Sequence, residues 1–388
     1  MSVVKRCIAT TERVADTETG RPRGASDVVT VLGAGIGGLT AAIACARAGH
    51  SIEIIEQAPA LTEVGAGLQL APNGMRVLRA LGVEVPGIDN RAVHLIDGAT
   101  GRSLVRMPLG PGFRLVHRAD LIAALAAHLD GVTLHLNTEV AGLEDRGLRL
   151  ADGRLWPAGR VIGADGVRGA ARRYVSPDHA ARFTGQVAWR ATVPVETWPA
   201  EAQVHVGAGR HLVLYPLRDG RLLNIVAVEE RADWTADGWS RTDDPENLRR
   251  AFDGYAAPVR ALLDRVETVN LWGLMDHGVT PDWTRGGCTV IGDAAHPTLP
   301  FLAQGANLAL EDAWLVSRML EDPTGYEALR RARVTRALAA AAGNARAYHL
   351  RGLSRHVAHA GLRLAGAVAP GALLRRYDWL YGHDVTAQ

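Results

Sequence analysis

The chain has 388 residues, 47% of them apolar, with 43 basic against 41 acidic side chains and a net charge of +2. That length allows two domains or one large one, and the composition is that of an ordinary globular protein. The near-balance of charge removes the electrostatic argument for a nucleic-acid or anionic-membrane partner. Three cysteines, Cys7, Cys45 and Cys288, lie far apart with neither C-x-x-C nor metal-ligand spacing. They are expected to be reduced thiols in a cytoplasmic protein that holds no metal.

Residues 1–27 contain no apolar core of a signal peptide, and Glu12, Asp16 and Glu18 argue against a transit peptide. A disordered extension or an early start codon is expected there. No run reaches the roughly 20 apolar residues needed to span a bilayer. The nearest, "AGLRLAGAVAPGALL", is broken by Arg363 and Pro370. The first ordered element is "DVVTVL", a β-branched run suited to a buried parallel strand. "GAGIGG" follows, then the helical pattern "LTAAIACARAG" closed by Gly49, then a second strand, "SIEIIE", ending in Glu56. This is a βαβ unit with G-x-G-x-x-G at Gly33, Gly35 and Gly38, and Ile36 and Gly37 between the last two. Gly33 permits the tight turn, Gly35 lets backbone approach a pyrophosphate, and Gly38 lets helix and strand pack closely. The phosphates would sit on the helix N-terminus. Glu56 lies where an acid accepts hydrogen bonds from a ribose, which favours FAD or NAD over a phosphorylated ribose.

Further along, "HRADLIAALAAHL" reads as a helix preceded by Arg118, with Asp120 as its N-cap. "VTLHLN" and "LRLADGRLWPA" read as strands, the latter around a tight "ADG" turn. "RVIGADGVRGAARR" runs from an apolar strand through Asp165 into a short basic helix, whose Arg168, Arg172 and Arg173 read as a solvated face. From about 180 to 275 the pattern becomes alternating strands, "QVAWRATVPV", "RHLVLYPL" and "RLLNIVAVEE", the last two joined by "RDG". Six of the nine tryptophans fall between 189 and 283, which suits an apolar pocket or a second core, with core the commoner use of each. "CTVIGDAAHP" is then a strand running into a turn, and "GANLALEDAWLVSRML" has helical periodicity. After residue 304 the chain reads as helical to about 343, and then as a looser tail.

Three ordered motifs, "VLGAGIGG", "RVIGADGVRGAARR" and "GDAAHPTLPFLAQGANLALEDA", together resemble the FAD-binding aromatic-hydroxylase superfamily, the group A flavoprotein monooxygenases. The resemblance covers residues 28–388. It is nearest to the salicylate hydroxylase and 3-hydroxybenzoate 6-hydroxylase branch, through "EVGAGLQLAPN", "FTGQVAWRATVP", "GRHLVLYPLRDGRLLNIVAV" and "RRYDWLYGHD". It implies an α/β (α+β) fold with a discontinuous, Rossmann-like FAD-binding domain (28–180 and 276–343). An antiparallel-sheet substrate domain (181–275) and a C-terminal segment (344–388) complete it. Asp293 would bind the ribityl or ribose region of FAD, Arg118 its phosphates or ribityl chain, and Pro300 would lie by the isoalloxazine ring. Backbone groups of Gly305, Ala306 and Asn307 would meet the pyrimidine end, where free N–H groups and the positive helix end favour an anionic reduced flavin. The family usually has Ser four residues after the Asp of the second motif. This chain has Gly169, which removes a side-chain hydrogen bond.

The resemblance also implies the chemistry: NADH or NADPH reduces FAD, the reduced flavin and O₂ form a C4a-hydroperoxide, and a phenolic, carboxylated ring is hydroxylated, with or without decarboxylation. The protein must supply a base, an apolar pocket and water exclusion. In a strand, residues at even spacing share a face, so His211 and Tyr215 point the same way with Val213 between them. Histidine has the right ordinary pKa for a base near neutrality, and the close relatives place a His and a Tyr at the matching positions beside substrate. Gln304 matches a substrate-side Gln. Arg190 is a candidate partner for a substrate carboxylate or for a surface ion pair. Salicylate, 3-hydroxybenzoate, a hydroxypyridine, a urate-like heterocycle and a natural-product phenol all stay open, as do monomer and homodimer. A reductase holding two dinucleotides would need a second G-x-G-x-x-G, and a flavin halogenase W-x-W-x-I-P; neither occurs. A non-catalytic flavin-binding protein is the remaining alternative.

Overall fold

The computed structural model describes residues 28–61, 67–145, 147–234 and 240–388. The N-terminal extension, Cys7, Glu63–Ala66 of the "EVGAG" stretch and Trp239 lie outside them. Val28–Leu32 is the buried strand that its β-branched run predicts. It pairs in parallel with Ser51–Ile55 on one side and Arg160–Gly163 on the other. Val132–His135 and Cys288–Val290 extend this sheet in parallel, and Thr284–Arg285 adds an antiparallel edge. The helices Ile36–Arg47 and Gly305–Val316 bury nearly continuous apolar surface, which matches helices packed inside a core rather than on a surface.

A second sheet of eight strands carries Arg182–Pro194, Leu222–Glu230, Arg210–Leu217 and Ala202–Gly207 at its centre. Arg210–Leu217 and Leu222–Glu230 form the expected hairpin, with Arg218, Asp219 and Gly220 at φ 47°, 60° and 83° in the left-handed turn. Ala92–Asp97 joins this sheet in parallel beside Ala202–Gly207, followed by Ser103–Pro108. Residues grouped by sequence with the dinucleotide half thus build the far edge of the second sheet.

Three local expectations are corrected. The helix after Arg118 begins at Arg118 itself with His117 as its cap residue, so Asp120 lies in its first turn and is not the N-cap. Arg172 is buried and bonds the His179 carbonyl, while Arg168 and Arg173 are exposed. The tail beyond 343 is not loose: one helix runs Pro323–Tyr348, a second Gly352–Val368, and short turns follow. Gly361, Gly366 and Pro370 hide that helix from a periodicity reading. Its Leu353, Val357, Leu364 and Val368 are exposed rather than core.

Cys45 and Cys288 are buried free thiols. No described helix is long and apolar enough to cross a membrane, and no cluster of metal-ligating side chains occurs among the described residues.

A buried ion network joins the helices Gly305–Val316 and Pro323–Tyr348. Arg330 Nε donates to Asp312 Oδ1 (2.7 Å) and its Nη1 to Glu311 Oε2 (2.5 Å), while Arg333 bonds both oxygens of Glu311. His296 Nε2 and the Gly292 N–H meet Asp312 Oδ2 at 2.6 and 2.9 Å. Burial alone would raise the Asp312 carboxyl, but His296 and Arg330 beside it hold it well below its ordinary value. Removing one partner of such a set leaves charge buried without compensation, at a cost of about 3–5 kcal/mol. Arg330→Met is therefore expected to lower the urea unfolding free energy by that amount. A wild-type unfolding curve would show that the network is not needed for stability.

Candidate active site

The glycine turn has the geometry of a dinucleotide cradle. Gly33 sits at φ +93°, and a Cβ there would come within 2.7 Å of the Ala164 carbonyl. A Cβ at Gly38 would overlap the Gly33 carbonyl, whereas one at Gly35 would find nothing within 4 Å. Gly35 therefore faces open space at the start of the helix Ile36–Arg47, where free N–H groups point outward. Ile36 and Gly37 line the same cleft. The Glu56 carboxylate accepts hydrogen bonds from the N–H groups of Ala34 (2.7 Å) and Ala58 (2.8 Å), which ties the second strand to the turn.

This turn opens on a cleft of about 890 Å³, lined also by Arg118, Asp165, Arg190, Asp293, Pro300, Gln304, Gly305 and Ala306. Asp293 is exposed to the cleft but walled in by protein elsewhere, and that enclosure pushes its carboxyl up, opposed by His296, Arg118 and Arg190. Asp165 caps the next short helix, its Oδ2 accepting from the Ala171 N–H at 2.9 Å, and burial pushes its carboxyl up to about 6. A Cβ at Gly169 would overlap that carboxylate. The Ser-to-Gly departure is thus filled by Asp165 itself. Asn307 is buried and its side chain is structural: Oδ1 accepts from the Ala71 N–H, and Nδ2 donates to the Gln69 and Ala303 carbonyls. Asn307 lines neither cavity, unlike Gly305 and Ala306 before it, and its backbone belongs to the first turn of Gly305–Val316.

A second, apolar cavity of about 430 Å³ lies alongside, lined by Leu95, Met107, Val204, Phe301, Tyr348 and Leu374 among others. The two cavities share a wall: Gln69, His211, Val213, Pro300, Ala303 and Gln304 line both. Ala303 holds a left-handed φ of 52°, a strained conformation for a residue with a Cβ. His211, Val213 and Tyr215 all face the larger cleft, as period-two alternation requires. Tyr215 does not line the apolar cavity, and burial raises its phenol. His211 is 1% exposed, and burial, with His349 beside it, holds its imidazole well below the ordinary value. Arg190 lies in the larger cleft with its guanidinium 5.5 Å from the Trp272 ring centroid, and it is not among the residues lining the apolar cavity. Nor are the tryptophans: Trp189 and Trp283 are core, and Trp272 belongs to the larger cleft.

Gln304 is 1% exposed, and its orientation follows from a chain of hydrogen bonds. Glu311 can only accept, so the Asn73 amide presents Nδ2 to it at 2.6 Å. The same Nδ2 then meets Gln304 Oε1 at 3.1 Å, which leaves Gln304 Nε2 buried with no partner among the described residues. A buried, unpaired donor on the shared wall is what a ligand acceptor would satisfy. Asn73, Glu311, Phe301, Tyr348 and His349 escaped the sequence reading. Asn73 sits inside the quoted "LQLAPN" stretch, so a polar residue at a helix start was the available signal.

A model of the FAD binding domain family matches residues 25–329. The chain is 35% identical over 351 residues to a 3-amino-4-hydroxybenzoate 2-monooxygenase of Streptomyces cremeus, covering 83% of this chain and 88% of that protein. It is 33% identical to a 3-hydroxybenzoate 6-hydroxylase of Polaromonas naphthalenivorans, covering 92% and 96%. It shares the fold of a solved salicylate hydroxylase substrate complex, with a TM-score of 0.78 at 23% identity over 94% of this chain and 97% of that one. The chain belongs to the FAD binding domain family, among its flavoprotein aromatic hydroxylases, and is a monooxygenase with FAD as its cofactor. The cleft fits that cofactor: an open glycine turn, an acid after the second strand, and a helix N-terminus at the far end.

Asp293→Ala removes a charged acceptor from this cleft, and such bonds are worth roughly 1.5–3 kcal/mol. FAD affinity, read by flavin fluorescence on titration, is expected to fall about 10- to 100-fold. Unchanged affinity would place the flavin away from Asp293.

Proposed function

We propose that this enzyme hydroxylates a phenolic or aminophenolic benzoate, using NAD(P)H and O₂, in the cytoplasm where NAD(P)H is supplied. The observation that carries the reading is the shared wall: an apolar cavity sized for one substituted ring adjoins the flavin cleft, with His211 and Gln304 at the junction. The similarity to enzymes named for hydroxybenzoate substrates supports the ring class.

FAD, once reduced by NAD(P)H, supplies activated oxygen, one atom going to the ring and the other leaving as water. The chain's own residues do the rest. The helix N-terminus at Gly305, Ala306 and Asn307 offers free N–H groups to the anionic end of the ring system. Arg118 and Asp293 hold the polar chain of the cofactor, and Glu56 its ribose. His211 accepts the phenolic proton, which makes the ring electron-rich at the moment of attack. Gln304 Nε2 donates to the phenolate oxygen or to a flavin acceptor. Phe301 and Tyr348, whose rings lie 5.4 and 5.3 Å from that of His211, keep water away. Arg376 lines the apolar cavity, which Arg190 does not, and is proposed to pair with the ring carboxylate. Arg376→Leu is expected to raise KM for benzoates about tenfold, the worth of an ion-paired hydrogen bond, with little change in kcat. An unaltered KM would remove Arg376 from substrate recognition.

His211→Ala is expected to retain FAD, because the flavin-binding motifs lie elsewhere. Hydroxylation should slow by about 10²–10⁴-fold, the usual worth of a general base. Oxygen would then be released as hydrogen peroxide, and the ratio of product formed to NADH consumed would drop. A wild-type ratio at neutral pH would acquit His211.

The low imidazole pKa fixes the sign of a second expectation. The base-competent neutral form persists below the ordinary value of about 6.5 and is lost only as pH falls through the lowered pKa. The acid limb of the product-formation profile should therefore lie below pH ~6.5 and vanish in His211→Ala. An acid limb at or above that value would mean that another group is the base.

A further inference from the structure

The phenolic proton taken by His211 needs an exit, because the residue is buried among Phe301 and Tyr348. The other ring nitrogen of His211 shows where it goes. His211 Nδ1 lies 2.7 Å from His349 Nε2. His349 Nδ1 lies 2.9 Å from Glu230 Oε1. Glu230 Oε2 is held by Arg351 at 2.5 Å. Exposure rises along the chain: His349 is 5% exposed, the Glu230 side chain 33% and the Arg351 side chain 63%.

We propose that His349 and Glu230 form, with His211, a proton path from the apolar cavity to the surface, and that this path sets the tautomer in which His211 can act as a base. The proposal rests on the reading that the cavity binds a phenol.

Donors and acceptors along the path fix the position of each hydrogen. A carboxylate only accepts, so His349 carries its hydrogen on Nδ1. A neutral His349 then has a bare Nε2, which can only accept from His211 Nδ1. A neutral His211 with its hydrogen on Nδ1 has a bare Nε2, the nitrogen left for the cavity that it lines. Burial holds both imidazoles below their ordinary value, against the raising pull of Glu230 on His349, so the neutral forms prevail. Burial would raise Glu230, but the Arg351 and His349 hydrogen bonds outweigh it and keep it ionised. These groups and the Tyr348 phenol are the titratable side chains that bear on the pair.

The step balances. The phenolic O–H breaks and His211 Nε2 gains the proton. The Nδ1 proton of His211 passes to His349 Nε2, and the Nδ1 proton of His349 passes by way of Glu230 to bulk water. One proton leaves, and each imidazole returns to neutrality with its hydrogen on Nε2. Transfer in the reverse direction restores the starting tautomers: the product oxygen in the cavity takes the Nε2 proton of His211, the Nε2 proton of His349 passes to His211 Nδ1, and a solvent proton entering by way of Glu230 reaches His349 Nδ1. His349 and Glu230 touch no substrate and are positioning residues.

Two measurements test this on the FAD-loaded protein. Nitrogen-15 NMR of labelled histidines in the resting protein is expected to show His211 and His349 neutral, both with hydrogen on Nδ1. In Glu230→Gln, whose amide can donate as well as accept, that bias should weaken. A His211 with its hydrogen on Nε2 in the wild type would overturn the proposal without reference to any substrate. The second measurement uses 3-hydroxybenzoate as probe, with stopped-flow absorbance reporting phenolate formation. His349→Phe should bind FAD and the probe as the wild type does, yet form phenolate at least about tenfold more slowly at pH 7, a share of the general-base effect. The rate should recover as pH rises toward the phenol's own pKa, a profile that a packing defect would not give. Glu230→Gln, at the half-exposed end, keeps the fold and should show a smaller slowing of the same form. Wild-type rates and pH profile in both variants would overturn the relay. Failure of the wild type to bind the probe would instead count against the substrate reading, and the tautomer measurement would still decide the relay.

Discussion

A single buried carboxylate, that of Asp312, ties the halves of this site together. It holds the Gly292 N–H at the turn that carries Asp293, the His296 imidazole just beyond, and the Arg330 guanidinium of the next long helix. A charge so placed is tolerable only with partners on every side. The neighbouring Glu311 is held the same way by Arg330 and Arg333, and it reaches Asn73 in the helix Pro72–Ala80. The Glu-Asp pair therefore fixes both the turn that presents Asp293 and the amide chain that aims Gln304. Groups lining the two cavities thus share one electrostatic anchor.

The shared wall follows from that anchor. The segment Pro300–Gln304 passes between the two cavities, with Ala303 in a strained left-handed conformation just before the central helix begins. Against it stands the strand Arg210–Leu217, whose alternation delivers His211 to both cavities and Tyr215 to the larger cleft alone. Division of labour between an oxygen-activating cofactor and a proton-handling side chain is what this arrangement allows.

Local geometry was legible in the sequence. The glycine turn, Glu56 and Asp293 sit within short segments whose spacing dictates their geometry, and His211 with Tyr215 follows from period-two alternation. What stayed hidden is non-local. Ala92–Asp97 pairs with Ala202–Gly207 across about a hundred residues, and no pattern in either segment names its partner. His349 lies 138 residues from His211, at the end of a helix whose periodicity gives no reason to single it out. Arg190 shares a sheet face with Val213 through Val226 and lines the larger cleft but not the apolar cavity, because strand alternation shows which residues share a face and not which cavity each of them reaches. Asp120 was misread as a cap because an acid fits both the cap position and the first helical turn.

The central claim is that the flavin and the aromatic ring occupy adjoining cavities separated by His211, Pro300 and Gln304. A crystal structure with FAD and 3-hydroxybenzoate bound tests it most directly. The account predicts the isoalloxazine ring in the glycine-turn cleft beside Pro300, and the benzoate ring in the apolar cavity with its hydroxyl within hydrogen-bond reach of His211 Nε2. A benzoate ring seated elsewhere, or one whose hydroxyl faces away from His211, would contradict it.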